Sequence, residues 1–432
     1  MRLYSTKNKS HIVDLKEAVF RGLPPDNGLY MPVEIPRLSD NFFNNIDRLS
    51  LQEIGFEVSK ALIGSSVPEA ELKKIAEEVL TFDVPVVQVS PQIFSLELFH
   101  GPSFAFKDFG ARFMARLMSY FLQKEKKEIN ILVATSGDTG SAVAQGFLDM
   151  PGIKVTILYP SKKVSDIQEK QLTTLGKNIT ALELDGSFDD CQRLVKEAFL
   201  DQELNQKLNL SSANSINISR LIPQSFYYFH AYAQLKDQGN NIIFSVPSGN
   251  FGNLTAGLIA KRMGLPVEKF VAATNANDII PQFLFSGIFS PKPSVATISN
   301  AMDVGNPSNF FRLSELYDNQ LEKIKTDIKG YSFSDAQTRE VLKQVFKDYN
   351  YILDPHGAVG YLGLKKYFTE EPTKANGVFL GTAHPTKFLE VVEEVIDKKV
   401  PLPSKLQEIV NKQKSSIRIS SKFEDFKQFL LN

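Results

Sequence analysis

The sequence predicts an α/β protein organised around doubly wound parallel sheets, with an additional N-terminal helical cap. Two patterns carry this expectation. From about Val84 onward, apolar strand-like runs alternate with amphipathic helical ones. The preceding chain instead carries two helical patterns after a Pro- and Gly-rich loop at 22–36. Size agrees, since 432 residues, 43% hydrophobic and 23% charged, suffice for two or three cores.

In the cap, apolar spacing predicts helices over 50–63 and 69–80. A strand-like run at 93–99 then leads through a turn into a helix over 109–122. Three strand–helix units follow, at 129–135 with 141–148, 155–159 with 164–175, and 179–184 with 188–200. Ser187 and Asp190 suit a capping box for the last helix. A long apolar helix is expected over 218–235, bent or started at Pro223. Strand 242–246 enters Pro247-Ser248-Gly249-Asn250-Phe251-Gly252-Asn253, followed by helix 254–263, strand 270–274 and helix 278–285. A loop-rich stretch with Pro291, Pro293 and a Gly305-Asn306-Pro307 turn comes next. Helices at 334–349 and 358–367, strand 377–380 and helix 386–396 complete the pattern, and 423–431 suits a short docked helix in a polar tail.

Composition narrows the function. Lys plus Arg and Asp plus Glu are both 49, so the formal charge is zero and no broad field favours nucleic acid or an anionic membrane. Residues 1–14 are polar, no window has membrane-spanning apolar length, and the lone Cys191 excludes an intrachain disulfide framework. A cytoplasmic protein acting on a small molecule is expected; the sequence does not fix the number of subunits. Cys191 lies in a helical run where a buried structural role fits better than nucleophilic work. The five histidines show no paired or HExxH spacing, so no metal site is expected. Neither a Walker loop nor a GxGxxG is present.

Open parallel sheets bind ligands beyond the carboxyl ends of their strands, and three unusual segments fall at such ends. Lys107 sits in His100-Gly-Pro-Ser-Phe-Ala-Phe-Lys-Asp-Phe-Gly-Ala-Arg-Phe, flanked by Phe104, Phe106, Phe109 and Phe113. An apolar setting lowers a lysine pKa, and the neutral amine can form a Schiff base. A snorkelling lysine at a helix start fits the same residues. Gly249 and Gly252 permit close backbone approach, so 249–253 suits either a phosphate cradle or an ordinary glycine-containing turn. Ser136-Gly137-Asp138-Thr139-Gly140 offers hydroxyls and backbone donors to a carboxylate, or simply caps a helix. Gly381-Thr382-Ala383-His384-Pro385 places a hydroxyl where it could meet a ring nitrogen.

In this order, 100–116, 134–140, 245–257 and 381–388 resemble the signature blocks of the threonine synthase family, of its shorter microbial and fungal type. Asn214-Ser215-Ile216-Asn217-Ile218-Ser219-Arg220 and Asn300-Ala301-Met302-Asp303-Val304-Gly305 resemble it too, and the likeness spans nearly the whole chain. It implies a fold type II pyridoxal-phosphate enzyme: a cap at 1–90, a catalytic core of two open α/β lobes at 91–400, and a tail at 401–432. By matching position, Lys107 would be the Schiff-base lysine, Gly249, Asn250, Phe251, Gly252 and Asn253 would hold the pyridoxal 5'-phosphate phosphate, and Thr382 would face the pyridine nitrogen. Ser136, Gly137, Asp138 and Thr139 would line the substrate carboxylate, although sister enzymes often carry Asn at the position of Asp138. Lys163 and Arg220 are the candidates for a substrate phosphate, because a dianion needs cationic donors. The implied reaction converts O-phospho-L-homoserine and water into L-threonine and phosphate. The alternatives are a fold type II dehydratase or phospholyase releasing a keto acid and ammonia, or a catalytically idle metabolite-binding homologue.

Overall fold

The structure, a computed structural model, describes residues 1–123, 125, 127–135 and 137–432. Three short strands open the chain: β1 (Arg2–Ser5), β2 (Asn8–Asp14) and β3 (Tyr30–Pro32), paired antiparallel in the order β2-β1-β3. Next come β4 (Val86–Ser90), β5 (Ile93–Glu97), β6 (Ile129–Ala134), β7 (Ile153–Pro160), β8 (Ile179–Asp185) and β9 (Leu210–Ser212). Then follow β10 (Ile242–Pro247), β11 (Val267–Thr274), β12 (Ile328–Ser332), β13 (Asn376–Gly381) and β14 (Ile417–Ser420). They build a six-stranded sheet, β12-β11-β10-β13-β5-β4, and a five-stranded sheet, β14-β8-β7-β6-β9. Both are parallel apart from the antiparallel edge strand β4, as the expected α/β class requires. Central strands β10 and β13 are buried at every position, because helices cover both faces of a parallel sheet.

Helix starts follow local chemistry. Ser50 with Glu53, Ser165 with Gln168, Ser187 with Asp190 and Ser334 with Gln337 each close a capping box. Asp354 accepts the N–H groups of His356 and Gly357, ahead of Pro355 at the first helical position.

The expectations are corrected in four places. The helix expected over 218–235 is broken: Ile218–Leu221 is α-helical, Ile222–Ser225 tightens to a 3₁₀ turn, and Phe226–Leu235 resumes, since Pro223 lacks the N–H an unbroken helix would use. The stretch read as loop after residue 285 contains helices Phe310–Glu315 and Leu321–Asp327 and strand β12. The strand-like run 93–99 ends at Glu97 and forms a hairpin with β4. The polar tail returns to the smaller sheet, where β14 pairs with β8, and Phe426 of helix Phe423–Leu431 is fully buried in a cluster with Cys191.

Helix Lys107–Leu122 is held on two sides. Phe82 meets Phe109 edge-on at 5.1 Å between ring centroids, and Tyr227 meets the same ring at 5.3 Å. Phe113 meets Phe226 at 5.8 Å. One continuous apolar cluster runs from the N-terminal strands and helices Leu51–Ile63 and Glu69–Val79 into this helix and both larger sheets.

Arg312 pins three regions together from full burial. Its Nε donates to the Tyr30 carbonyl (3.1 Å), Nη2 to that of Ile216 (2.6 Å) and Nη1 to Asn309 Oδ1 (2.9 Å), and burial pushes its pKa down to about 9. Removing the guanidinium orphans two buried carbonyls. Arg312→Met is expected to destabilise the fold by about 2–4 kcal/mol, seen as a thermal midpoint several degrees lower; an unchanged midpoint would contradict this role.

Candidate active site

In each larger sheet the strand order reverses at one point, which is where open sheets leave a crevice. β10 and β13 are neighbours whose outer partners lie on opposite sides, and β6 stands between β7 and β9. The segments leaving β5, β6, β9, β10 and β13 converge on one cavity of about 590 Å³. Lys107, Gly137's neighbours Asp138 and Thr139, residues 249–253, Lys163, Arg220 and Thr382 all line it or its mouth. Ser136 lies outside the described residues.

Lys107 is the first residue of its helix. The segment before it is stitched onto the one after β13: Phe106 N–H donates to the Thr382 carbonyl (2.9 Å), His384 N–H to that of Phe104 (3.0 Å), and Ala105 bridges Ala383. This backbone seam places the lysine and Thr382 side by side. Burial lowers the Lys107 pKa to about 8; Asp138 opposes that shift, while Arg220 and Lys387 add to it. The neighbouring phenylalanines contribute less than their closeness in sequence suggests. Phe106 lies 5.7 Å from Nζ, but Phe109 and Phe113 point away into the core, and Phe104 packs on His384. Helical direction, not sequence distance, decides which ring meets the amine.

The 249–253 segment wraps the start of helix Gly252–Arg262. Gly249 passes so close to the 300–304 loop that a Cβ there would sit 2.7 Å from Met302 Cα. Phe251 adopts a left-handed φ of 61°, turning the chain into the helix. Among the described residues, the N–H groups of Gly249 to Asn253 donate to no protein acceptor, whereas Leu254 N–H is taken by Asn253 Oδ1. The side chains of this segment are already engaged. Asn250 joins the two lobes, donating to Ser215 Oγ and accepting from Ser308 N–H (2.7 Å) and Oγ (2.9 Å). Asn253 Nδ2 donates to the Pro247 carbonyl (3.0 Å). An incoming anion therefore meets backbone donors.

On the facing lobe, Gly137 has φ 137°, and a Cβ there would lie 2.4 Å from the Gln168 amide carbon. Thr135 Oγ1 accepts from Gly137 N–H (3.0 Å) and Gly140 N–H (2.8 Å), fixing the turn. Asp138 pairs with fully buried Lys387 at 2.7 Å and accepts from Gln168 Nε2 at 3.0 Å. Burial opposes its ionisation, but Lys387 and Lys107 outweigh that and hold the carboxyl well below the ordinary range. Lys163 is exposed at the mouth. Arg220 is buried against the Lys107 helix, where a Cβ at Gly110 would stand 2.7 Å from its Nε. Its Nη1 donates to the Ala213 carbonyl, Nε has no partner among the described residues, and burial lowers its pKa to about 10.

Sequence reasoning missed Thr135, Gln168, His356 and Lys387. His356 lies between Asp354 (Nδ1 to Oδ2, 2.7 Å) and the Ala301 N–H, which donates to Nε2 (3.3 Å). That pattern makes the ring a neutral Nδ1–H tautomer holding the 300–304 loop. The signal for Lys387 was a lysine directly ahead of the apolar pair Phe388-Leu389. The lone signal for His356 was its place two residues after a capping aspartate.

Free backbone donors at a helix start, a half-buried amine of lowered pKa and the Thr382 hydroxyl on one cavity fit pyridoxal 5'-phosphate: a phosphate, an aldehyde and a pyridine nitrogen each have a matching group. Comparison with known proteins agrees. Residues 87–381 match the pyridoxal-phosphate dependent enzyme family, 2–80 the threonine synthase N terminus and 357–430 the threonine synthase C-terminal family. The chain is 46% identical to threonine synthase of Haemophilus influenzae and 43% identical to that of Escherichia coli, with all of each chain covered. The Escherichia coli threonine synthase crystal structure superposes with a TM-score of 0.92 over the whole of both chains at 42% identity. The pyridoxal-phosphate-bound threonine synthase of Brucella melitensis gives 0.93 at 33% identity, covering 100% of this chain and 98% of that one. The chain belongs to the threonine synthase family of pyridoxal-phosphate-dependent enzymes.

Proposed function

We propose that the protein converts O-phospho-L-homoserine and water into L-threonine and phosphate, with Lys107 as the catalytic residue. The observation that carries this reading is one cavity holding a lysine amine of lowered pKa, a ring of free backbone N–H groups and the Thr382 hydroxyl. A soluble biosynthetic role suits a chain with no helix among the described residues long and apolar enough to cross a membrane, and a cytoplasmic setting suits the buried lone thiol, whose pKa burial raises to about 12.

When bound, pyridoxal 5'-phosphate supplies an electron-withdrawing ring that acidifies the substrate's Cα and Cβ hydrogens. The chain does the rest. Lowering the lysine pKa from 10.5 to about 8 raises the free-base fraction near neutrality roughly three-hundred-fold. Lys107 Nζ holds the cofactor and, when free, takes the proton from Cα. The N–H groups of Gly249, Asn250, Phe251, Gly252 and Asn253 hold the cofactor phosphate at the positive end of helix Gly252–Arg262. The Thr382 hydroxyl would face the pyridine nitrogen and would offer it a neutral partner in place of a carboxylate. Gly137, Asp138 and Thr139 bound the substrate carboxylate side. Lys163 at the mouth and Arg220 in the floor supply cationic donors for the substrate phosphate, which departs from Cγ after proton loss at Cβ. A proton then returns to Cγ to make the methyl group, water adds at Cβ, and a proton returns to Cα.

Three outcomes test this. Cofactor-loaded protein given O-phospho-L-homoserine should release phosphate and threonine in equal amounts; phosphate with a keto acid and ammonia would move it to the phospholyase reading. Lys107→Ala should lose turnover while keeping the wild-type circular dichroism spectrum, and threonine production at the wild-type rate would remove Lys107 from the mechanism. Lys163→Met should raise KM for the phosphorylated substrate about ten- to hundred-fold with a smaller change in kcat; an unchanged KM would take the substrate phosphate elsewhere.

A further inference from the structure

Asp138 is a carboxylate of the cavity wall that is only 5% exposed. A buried carboxylate persists as an anion only if it is paired and hydrogen-bonded. Lys387 meets that need from a side chain with no exposure, its Nζ 2.7 Å from Asp138 Oδ1. The same Nζ donates to the Ser103 carbonyl at 2.9 Å, and Gln171 Nε2 donates to that carbonyl at 3.1 Å. Lys387 follows β13 of the larger sheet, Asp138 starts the helix after β6 of the smaller one, and Ser103 precedes Lys107. One ammonium therefore joins three of the segments that shape the cavity.

We propose that Lys387 is a positioning residue: its ammonium fixes Asp138 as an oriented, charge-balanced carboxylate in the cavity wall, and the balanced pair sets the electrostatic field at the Lys107 nitrogen. The inference rests on the reading of Lys107 as the cofactor-binding lysine. The charged and titratable groups around that nitrogen come from every side. Asp138, Lys163 and Asp189 line the cavity from the smaller lobe, Arg220 from the segment after β9, and Asp303 and His356 from the larger lobe, with Lys387 behind Asp138. Asp108, next to Lys107 on its own helix, is turned away to accept the Ser103 N–H at 2.9 Å. Of these, Asp138 favours a proton on Lys107, and Lys387 disfavours it both directly and by sharing the carboxylate's charge.

Opposite signs follow for the two partners. Without Lys387, the carboxylate acts on Lys107 unbalanced, and a proton on the lysine nitrogen is held more tightly. Without the Asp138 charge it is held less tightly. A purely structural pin would lower stability in both variants and move no titration in opposed directions.

The test uses the full-length, cofactor-loaded protein and reads the pH midpoint of the bound cofactor's visible absorption, the acid limb of the kcat/KM profile, and the thermal unfolding midpoint. Lys387→Met should move the titration up by about one pH unit, and Asp138→Asn should move it down by about the same amount. The double variant and Lys387→Arg should lie close to wild type. Shifts of the same sign in the two single variants, or no shift with lowered melting alone, would overturn the proposal. If Lys387→Met does not fold, Asp138→Asn decides by itself, since an unmoved titration there is also fatal. Unmoved titrations in the variants, with a wild-type protein that still forms threonine, would remove this inference and leave the functional reading standing. Full activity of Lys107→Ala would remove that reading instead.

Discussion

Keeping the Lys107 amine out of bulk water while leaving it open to a ligand constrains nearly everything around it. A long flexible side chain in a deep cleft is useful only if its backbone is fixed. The fold fixes it twice. The backbone seam between 104–106 and 382–384 locks the segment ahead of the lysine to the end of β13. The aromatic contacts of Phe109 and Phe113 lock the helix behind it. Because those contacts draw on Phe82 and on the Phe226–Leu235 helix, the N-terminal region is part of what holds the lysine, and the shared apolar cluster is the physical expression of that dependence.

Electrostatics completes the arrangement. The carboxylates Asp138 and Asp303 of the cavity wall are each supplied with donors. Asp138 and Lys387 pair directly, and Asp303 receives Asn275, Asn277 and Thr297 instead of a cation. Burial pushes the Asp303 pKa up, and the bonds from Thr297 and Asn275 pull against it. The 300–304 loop that closes against Gly249 is held by those contacts and by His356. Among the described residues the N–H groups of the 249–253 segment have no protein acceptor, while the side chains of Asn250 and Asn253 are taken up by Ser215, Ser308 and Pro247.

The alternation of strands and helices was legible because it rests on local periodicity, and so was the helix Phe188–Leu200 with its Ser187 cap. The parts that escaped depend on partners distant in the chain. β1 and β3 are four and three residues long and exist through mutual pairing, and β14 is read as a strand only once β8 lies beside it. The residues 310–332 read as loop because their helices are short and break at Asp318 and Asn319, both in left-handed conformations. At the site, loops at strand ends could be singled out from glycines and hydroxyls. The Lys387–Asp138 pair could not, since a lysine and an aspartate in separate lobes carry no local mark of their contact. The phenylalanines around Lys107 mislead in the other direction: adjacency in sequence suggested an aromatic pocket, and helical geometry sends two of the rings into the core.

The chemistry of the cavity turns on which amine carries the cofactor. Borohydride reduction of the loaded protein, followed by proteolysis and mass-spectrometric mapping, reads that directly. The pyridoxyl group is expected on Lys107 alone. Attachment to Lys387, Lys163 or any other lysine would contradict the central claim and reassign the charges of the cavity wall.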